Sequence, residues 1–287
     1  MGRHRQSGWR LTSVLAPSVS LLALLALITF AVVGLVPSVG RTLSPKKLTG
    51  ARAKPAKAPL APSSPLVGTP FTGTPAVGAL FLTDASGNLT AEHFCTASVV
   101  DSPQRDLIIT AAHCVDDGSH QGMRIAYVPG YHDGKQPYGA WTAVKAFIDD
   151  KWSASSDQAH DVAFLRVQRS TGSARIQDVT GANTLGVGRS PGVVRVIGYP
   201  SDQDQPIGCQ NTLSRTAGQY EFDCKNYNSG TSGGPFLADI DPSTGRGTVV
   251  GVIGGLHYGG DDPDVSYSIT FDGVVKSLYD TATAAHS

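Results

Sequence analysis

Two stretches decide how this chain folds: Thr110-Ala111-Ala112-His113-Cys114 and Gly230-Thr231-Ser232-Gly233-Gly234-Pro235. The first places an imidazole just after the apolar run 107–110. The second places a hydroxyl among glycines, where the backbone turns sharply and can point N–H groups at a substrate. Between them, Asp161 begins the apolar run 162–165. The chain therefore carries His, Asp and Ser in that order.

These three side chains match the needs of an activated hydroxyl. A serine is a poor nucleophile unless a base accepts its proton, and that base must be oriented by a third group. His113 is the candidate base, Asp161 the orienting carboxylate and Ser232 the nucleophile. The N–H groups of Gly230 and Ser232 can converge on a developing oxyanion. Each residue alone is a common feature of β proteins, and the hypothesis depends on their combination.

Together the motifs resemble the chymotrypsin-like (trypsin-fold) serine peptidases of the bacterial secreted type, over residues 77–279. The resemblance implies an all-β fold: two six-stranded antiparallel β-barrels with the active site in the cleft between them. It also implies that His113 acts as general base and then acid, that Asp161 holds the imidazolium, and that Ser232 forms the acyl-enzyme. Gly230 and Ser232 would form the oxyanion hole.

The stretch after the serine motif is similar to the cleft-lining strand of this family. A peptide could pair with the free backbone edge of residues 249–260 as an added strand. The pattern Gly255-Leu256-His257-Tyr258-Gly259-Gly260 resembles the glutamyl endopeptidase branch, in which a histidine contacts an acidic P1 side chain; the alternative is a histidine with a structural partner. Asn226 stands where trypsin has an aspartate. Tentative substrate-binding residues are Asn226, Gly254, Gly255 and His257.

The charge distribution excludes some classes of partner. The 287 residues include 23 Lys and Arg and 23 Asp and Glu, but nine of the basic residues and none of the acidic ones lie in the first 60 positions. The rest of the chain therefore has 14 basic against 23 acidic side chains. Phosphate binding needs a basic face, so we expect no nucleic-acid partner.

The N-terminal segment is typical of an exported protein. Residues 1–10 are basic and polar, and Val19 to Val36 contains no charge. This length lies between a cleavable signal and a full membrane span, which needs about 20 residues. Residues 1–40 are therefore a signal peptide or a signal anchor. Residues 41–76, rich in Pro, Ala and Lys, are a linker or propeptide, and residues 77–287 are the peptidase domain.

The four cysteines agree with export. Cys95, Cys114, Cys209 and Cys224 allow three pairings. Local pairing of the first two and of the last two would close loops of about 15–20 residues, each contributing about 3 kcal/mol. No spacing fits a common zinc site, so we expect disulfides and no metal.

Short β-type runs with turn signals between them indicate an all-β body. One helix is expected at Phe271–Thr283. The expected strands are Val77–Leu82, Thr96–Val100, Leu107–Thr110, Met123–Val128, Thr142–Ile148, Val162–Val167, Val193–Gly198, Pro235–Ala238, Thr248–Ile253 and Val265–Thr270.

The resulting hypothesis is an exported serine endopeptidase, secreted or held at the membrane only through its N-terminal apolar segment. We expect a monomer that acts on proteins or peptides without a cofactor. One alternative is a catalytically silent, protease-like binding module, which the complete set of triad residues disfavours. The other is a serine esterase, whose usual Ser-Asp-His chain order is missing.

Overall fold

The computed structural model describes residues 65–116, 124–169 and 171–284. They belong to one of two compact units of the chain, Leu60–Ser287. The predicted signal or anchor segment 1–40 and the linker residues 41–64 lie outside the described residues. Among the helices that are described, none has the length and apolar character needed to cross a membrane.

The N-terminal half contains a closed barrel. The first seven strands are β1 (Thr69–Pro70), β2 (Val77–Thr83), β3 (Leu89–Val99), β4 (Leu107–Thr110), β5 (Arg124–Pro129), β6 (Trp141–Ile148) and β7 (Ala163–Gln168). Strands β2 to β7 close the barrel in the order β2-β3-β4-β7-β6-β5, and each neighbouring pair is antiparallel. Leu80, Ile108, Tyr127, Trp141 and Leu165 fill part of its interior because alternate side chains of a strand face the same side.

The C-terminal half consists of two sheets around a shared core. Its strands are β8 (Thr184–Leu185), β9 (Val193–Gly198), β10 (Ile207–Thr212), β11 (Ser214–Thr216), β12 (Gln219–Asp223), β13 (Pro235–Ala238), β14 (Thr248–Val252) and β15 (Val265–Ser268). One sheet has the order β1-β10-β9-β13-β14-β8 and the other β11-β12-β15. Val196, Phe222, Phe236 and Val250 pack between them. The all-β, two-barrel class predicted from the sequence is confirmed.

Several strands escaped the sequence analysis. Strands β10 and β12 carry polar residues within their runs and do not stand out by hydrophobicity. Strand β1 lies in the proline-rich segment assigned to the linker, yet Thr69 and Pro70 pair with Gly208 and Ile207. An extended, proline-containing chain can still accept hydrogen bonds at a sheet edge, so composition did not predict this pairing.

Helices are few and short. They are α1 (Asp150–Ser155), α2 (Ile176–Thr180) and α3 (Gly273–Ala284), with 3₁₀ turns at Gln158–His160 and Leu256–Gly259. The predicted C-terminal helix is confirmed, and it begins at Gly273 because Asp272 accepts a hydrogen bond from the Val274 N–H at 2.8 Å. The sequence analysis missed α1 and α2, which are too short to show helical periodicity.

Candidate active site

His113 and Asp161 emerge from neighbouring strands of the first barrel. Thr110, the last residue of β4, lies opposite Ala163, the first residue of β7. His113 follows β4 by three residues and Asp161 precedes β7 by two, so the ladder brings both to the same end of the barrel. The motifs and the family resemblance that they carry predicted this meeting, and the strand register supplies its physical cause.

The Asp161 carboxylate is fully buried and accepts three hydrogen bonds. Its Oδ2 lies 2.8 Å from Nδ1 of the His113 ring and 2.9 Å from the Gly255 N–H, and its Oδ1 accepts the His113 N–H at 3.0 Å. A buried carboxylate is costly unless such donors satisfy it. They fix both the carboxylate and the imidazole, whose side chain is 17% exposed.

A disulfide fastens the histidine segment to the barrel. Cys114, next to His113, is bonded to Cys95 in β3, and a second disulfide joins Cys209 to Cys224. Both bonds are therefore the local pairings among the three that the sequence allowed. The sulfurs of Cys95 and Cys114 and a ring nitrogen of His113 lie within 4.8 Å of one another. Because the two sulfurs are bonded to each other, they offer no thiolate to a metal.

The serine loop is docked against the first barrel through β3. The Thr96 N–H donates to the Ser232 carbonyl at 2.7 Å, and the Thr96 hydroxyl donates to the Gly230 carbonyl at 3.0 Å. Gly233 lies so close that a Cβ there would fall 2.1 Å from the Thr110 hydroxyl and 2.2 Å from the Thr96 carbonyl. The loop holding Ser232 therefore lies against the end of β4, from which His113 emerges.

Two backbone donors of the motif 230–234 are unengaged. The N–H groups of Thr231, Gly233 and Gly234 donate to backbone carbonyls. Within residues 65–116, 124–169 and 171–284, those of Gly230 and Ser232 have no acceptor. Within the motif 230–234, the two predicted oxyanion donors are thus the N–H groups left without an acceptor among the described residues.

The tentative substrate residues lie in different surroundings. Gly254 is buried against the Asp161 carboxylate, since a Cβ there would lie 2.9 Å from Asp161 Oδ2, and Gly255 donates to that carboxylate. Asn226 is exposed, with a φ of 75°. His257 is exposed, and its Nδ1 lies 2.9 Å from Asp261 Oδ2.

The chain after β14 differs from the extended edge expected from the sequence. The strand ends at Val252. Leu256–Gly259 forms a turn with 3₁₀-type hydrogen bonds, in which His257 and Tyr258 have positive φ. The backbone N–H groups of Leu256 and His257 donate to the side-chain carbonyls of Gln219 and Gln158, at 2.9 and 3.1 Å. This edge is therefore occupied by the chain's own side chains.

Sequence reasoning also missed two aromatic neighbours of His113. The Tyr258 ring lies edge-to-face on the imidazole, with centroids 5.9 Å apart, and the Trp152 ring lies at 6.4 Å. Trp152 comes from the unpredicted helix α1, and Tyr258 comes from the unpredicted turn. The one signal in the sequence was for Tyr258, which follows the candidate residue His257 directly.

Comparison with known proteins assigns the fold and the family. The profile of the family described as "Trypsin-like peptidase domain" matches residues 95–252, which is more than half of the chain. A comparison with curated protein sequences gives no significant match.

Solved structures of proteases share the fold. The protease Anisep from Arthrobacter nicotinovorans is 24% identical, with a TM-score of 0.64 over 76% of this chain and 100% of that one. The thermostable serine protease AL20 from an extremophilic microorganism is 22% identical, with a TM-score of 0.63 over 74% and 99%. A Glu endopeptidase is 15% identical, with a TM-score of 0.58 over 76% and 97%. The chain belongs to the trypsin-like peptidase family and is a serine peptidase.

Proposed function

We propose that this serine peptidase is an exported endopeptidase that uses Ser232, His113 and Asp161 as its catalytic triad. The observation that carries the proposal is the 2.8 Å contact between His113 Nδ1 and the buried Asp161 Oδ2. This contact fixes the tautomer with the proton on Nδ1, which leaves Nε2 as the basic nitrogen.

The proposed reaction has an acylation and a deacylation step, each with two proton transfers through His113 Nε2. His113 Nε2 takes the hydroxyl proton as Ser232 Oγ attacks the scissile carbonyl, and the resulting imidazolium is stabilised by Asp161. His113 then gives that proton to the leaving amine, and the acyl group remains on Ser232. In the second step the same imidazole takes a proton from water as the water oxygen attacks the acyl carbon. The bond to Ser232 Oγ then breaks, His113 returns the proton to that oxygen, and the acid product leaves.

The proposed oxyanion hole consists of the N–H groups of Gly230 and Ser232. Their lack of an acceptor among the described residues supports this role, because a donor already engaged in the fold would have to break a bond first. Preorganised donors of this kind lower the activation barrier without reorganisation during the reaction.

The two disulfides support export, since such bonds form and persist outside the reducing cytosol. The proposed route is through residues 1–40 as a signal peptide or anchor, with residues 41–76 serving as linker or propeptide. N-terminal sequencing and intact mass of the extracellular form test this route. An intact N-terminus on a protein confined to the cytosol would contradict it.

Labelling with a small fluorophosphonate tests the catalytic proposal. We expect the unmodified chain to be labelled at Ser232 and the Ser232→Ala variant to remain unlabelled, with Ser229→Ala, in the same loop, as the matched control. Cleavage of a peptide library at internal bonds would support an endopeptidase. Labelling without peptide cleavage but with ester hydrolysis would favour the esterase, and no labelling would favour the silent binding module.

The P1 preference stays outside this proposal. The solved Glu endopeptidase shares the fold, and the sequence made His257 a candidate for contacting an acidic P1 side chain. In this structure the imidazole is paired with Asp261, which an acidic side chain would have to replace. Comparing P1 profiles of the unmodified chain and His257→Ala tests the role directly.

A further inference from the structure

The segment that follows β14, residues 255–260, lies across the site in an unusual conformation. His257 and Tyr258 are consecutive non-glycine residues in the left-handed region, with φ of 52° and 55°. For residues with a Cβ this conformation is unfavourable, so surrounding contacts must hold it. Glycines with positive φ, Gly255 and Gly260, stand at its two ends and allow the chain to turn there.

Two glutamine side chains supply the holding contacts. Gln219 Oε1 accepts the Leu256 N–H, Gln158 Oε1 accepts the His257 N–H, and Gln219 Nε2 donates to the Gln158 carbonyl at 3.3 Å. A side-chain amide carbonyl and a peptide carbonyl are equivalent acceptors. A substrate backbone can therefore replace either glutamine at these N–H groups without leaving a donor unpaired.

The held segment also covers part of the catalytic imidazole. Tyr258 is 49% exposed, yet its ring contacts both His113, at 5.9 Å, and Trp152, at 6.1 Å between centroids. Because Tyr258 contacts the His113 imidazole and is itself half exposed, its ring lies in the path of a peptide that binds at this site. The same turn thus occupies the pairing edge and shields the base.

We propose that Gln158 and Gln219 are positioning residues that hold the 255–260 segment closed over His113, and that a peptide substrate opens it by taking over the N–H groups of Leu256 and His257. This inference rests on the proposed function. Gly255 is the hinge and keeps its N–H on Asp161 in both states, so the closed state has an intact site and only its peptide-binding edge is blocked. Binding therefore includes the free-energy cost of opening, which raises KM and leaves kcat unchanged.

Two single substitutions of His257 test whether residues 255–260 close over His113. His257→Gly and His257→Ala both remove the imidazole, but only glycine adopts a positive φ without cost. Glycine therefore favours the closed segment, and we expect its KM for a peptide substrate to exceed that of the alanine variant about fivefold, at equal kcat. Equal KM values, or a lower value for glycine, would overturn the proposal.

A second position controls for the substitution itself. Asp239 also has a positive φ of 50°, but it lies at the far end of β13 from the serine loop and pairs with exposed Arg189. We expect Asp239→Gly and Asp239→Ala to have the same KM. If the KM values of these two variants differed as much as those of the two His257 variants, the effect would come from general backbone flexibility. That result would contradict the proposed closing of residues 255–260 over His113.

Gln158 is tested by its contact with the backbone. Gln158→Ala removes the acceptor of the His257 N–H, and we expect it to lower KM about threefold with kcat retained. Gln158→Glu provides a charged acceptor, which binds an N–H more strongly, so KM should rise. A loss of kcat in both variants, with KM unchanged, would mean that the glutamine only supports the fold.

Fluorophosphonate labelling separates this inference from the proposed function. The Gln158 and Asp239 variants should be labelled to the same final extent as the unmodified chain, and the two His257 variants to the same extent as each other, because the small probe needs no peptide-binding edge. Complete labelling combined with equal KM values for His257→Gly and His257→Ala would contradict the proposed closing of residues 255–260 but leave the proposed triad in place. If even the unmodified chain were not labelled, the proposed function would be contradicted, and so would the closing of residues 255–260 that rests on it.

Discussion

The three donors around Asp161 show how single hydrogen bonds prepare the site. Two come from the backbone and one from the His113 ring, and all are between 2.8 and 3.0 Å. Backbone donors cannot rotate away, so the carboxylate keeps one orientation through the proposed reaction. The His113 imidazole is held in one orientation as well, because its Nδ1 is bonded to this carboxylate.

The charge of Asp161 is tested by an isosteric change. Asp161→Asn keeps the shape but replaces one oxygen by an NH₂ group, which cannot accept from the ring or the backbone. We expect kcat to fall by about three to four orders of magnitude with KM little changed, measured by steady-state peptide hydrolysis.

Asp149→Asn is the control for this change. Asp149 lies 3.0 Å from His160 and caps α1, a role that asparagine fills equally well. Its kcat should stay within about threefold of that of the unmodified chain, because asparagine keeps the cap and a single partly exposed ion pair contributes little. A loss of less than tenfold for Asp161→Asn would contradict the proposed role of the carboxylate.

Thr96 links the two halves through a fully buried hydroxyl. Its Oγ1 donates to the Gly230 carbonyl and accepts the Tyr199 N–H at 2.8 Å. Thr96→Val removes both bonds at nearly constant volume and leaves two buried backbone groups unpaired. We expect the free energy of unfolding in urea to fall by about 2–4 kcal/mol, with a lower kcat because the serine loop loses an anchor.

Thr83→Val is the matched comparison. The Thr83 hydroxyl, also buried, donates to a single carbonyl, that of Arg124, at 3.2 Å. We expect a smaller loss of stability, about 1 kcal/mol, and an unchanged kcat. If the two variants lost the same free energy of unfolding and had the same kcat, the contact of Thr96 with the serine loop would contribute no more than an ordinary buried hydrogen bond.

The serine loop is an element whose path depends on close approach. Gly233 has a φ of 78°, and any Cβ there would overlap Thr110 and Thr96. Gly233→Ala therefore combines a backbone penalty with a steric clash against buried strands. We expect it to destabilise the domain by more than about 3 kcal/mol or to prevent folding, as measured by urea unfolding and soluble yield.

Gly218→Ala isolates the backbone part of this penalty. Gly218 has a φ of 83°, but a Cβ there would meet nothing within 4 Å. The expected cost is about 1 kcal/mol. If the variants at 233 and 218 were equally stable, the docking of the serine loop on β3 and β4 would be incorrect.

Over the molecule as a whole, rings from both halves meet around His93. Its imidazole lies edge-to-face against Phe81 and Tyr131 of the first half and Tyr199 of the second, at 5.6, 5.7 and 6.0 Å. Nε2 contacts the Gln203 carbonyl at 3.2 Å, whereas Nδ1 is buried without a partner among the described residues. Burial lowers the pKa of His93 below its ordinary value of 6.5, and the Gln203 carbonyl opposes this only in part.

This burial predicts a stability that depends on pH. Because the folded pKa is lower, the unfolded chain binds more protons, so the contribution of His93 is complete above pH 6.5 and is lost as the pH falls below it. We expect the free energy of unfolding in urea to decline between about pH 7 and pH 5. In His93→Gln, whose amide can still donate to Gln203, the decline should be smaller, and an unchanged decline would assign it to other groups.

The short-range motifs were readable because they are local. The serine motif and the residues around His113 and Asp161 indicate their chemistry within a few positions. Short β-type runs bounded by turn signals predicted strands such as Leu107–Thr110, Val193–Gly198 and Pro235–Ala238 with the observed bounds. The family resemblance then supplied the two-barrel fold. The polar strands β10 and β12 and the short helix α1 carry no comparable local pattern.

The remainder depends on contacts between residues far apart in the chain. Nothing local to Leu256 and His257 states that Gln219 and Gln158 will accept their N–H groups, or that β14 will therefore end at Val252. Nothing near Tyr258 states that its ring will reach His113. Local pattern indicates which side chains are candidates for the chemistry, because backbone preference and polarity act over a few residues. Which of them are covered, held or left open follows from packing, which is settled when distant segments meet.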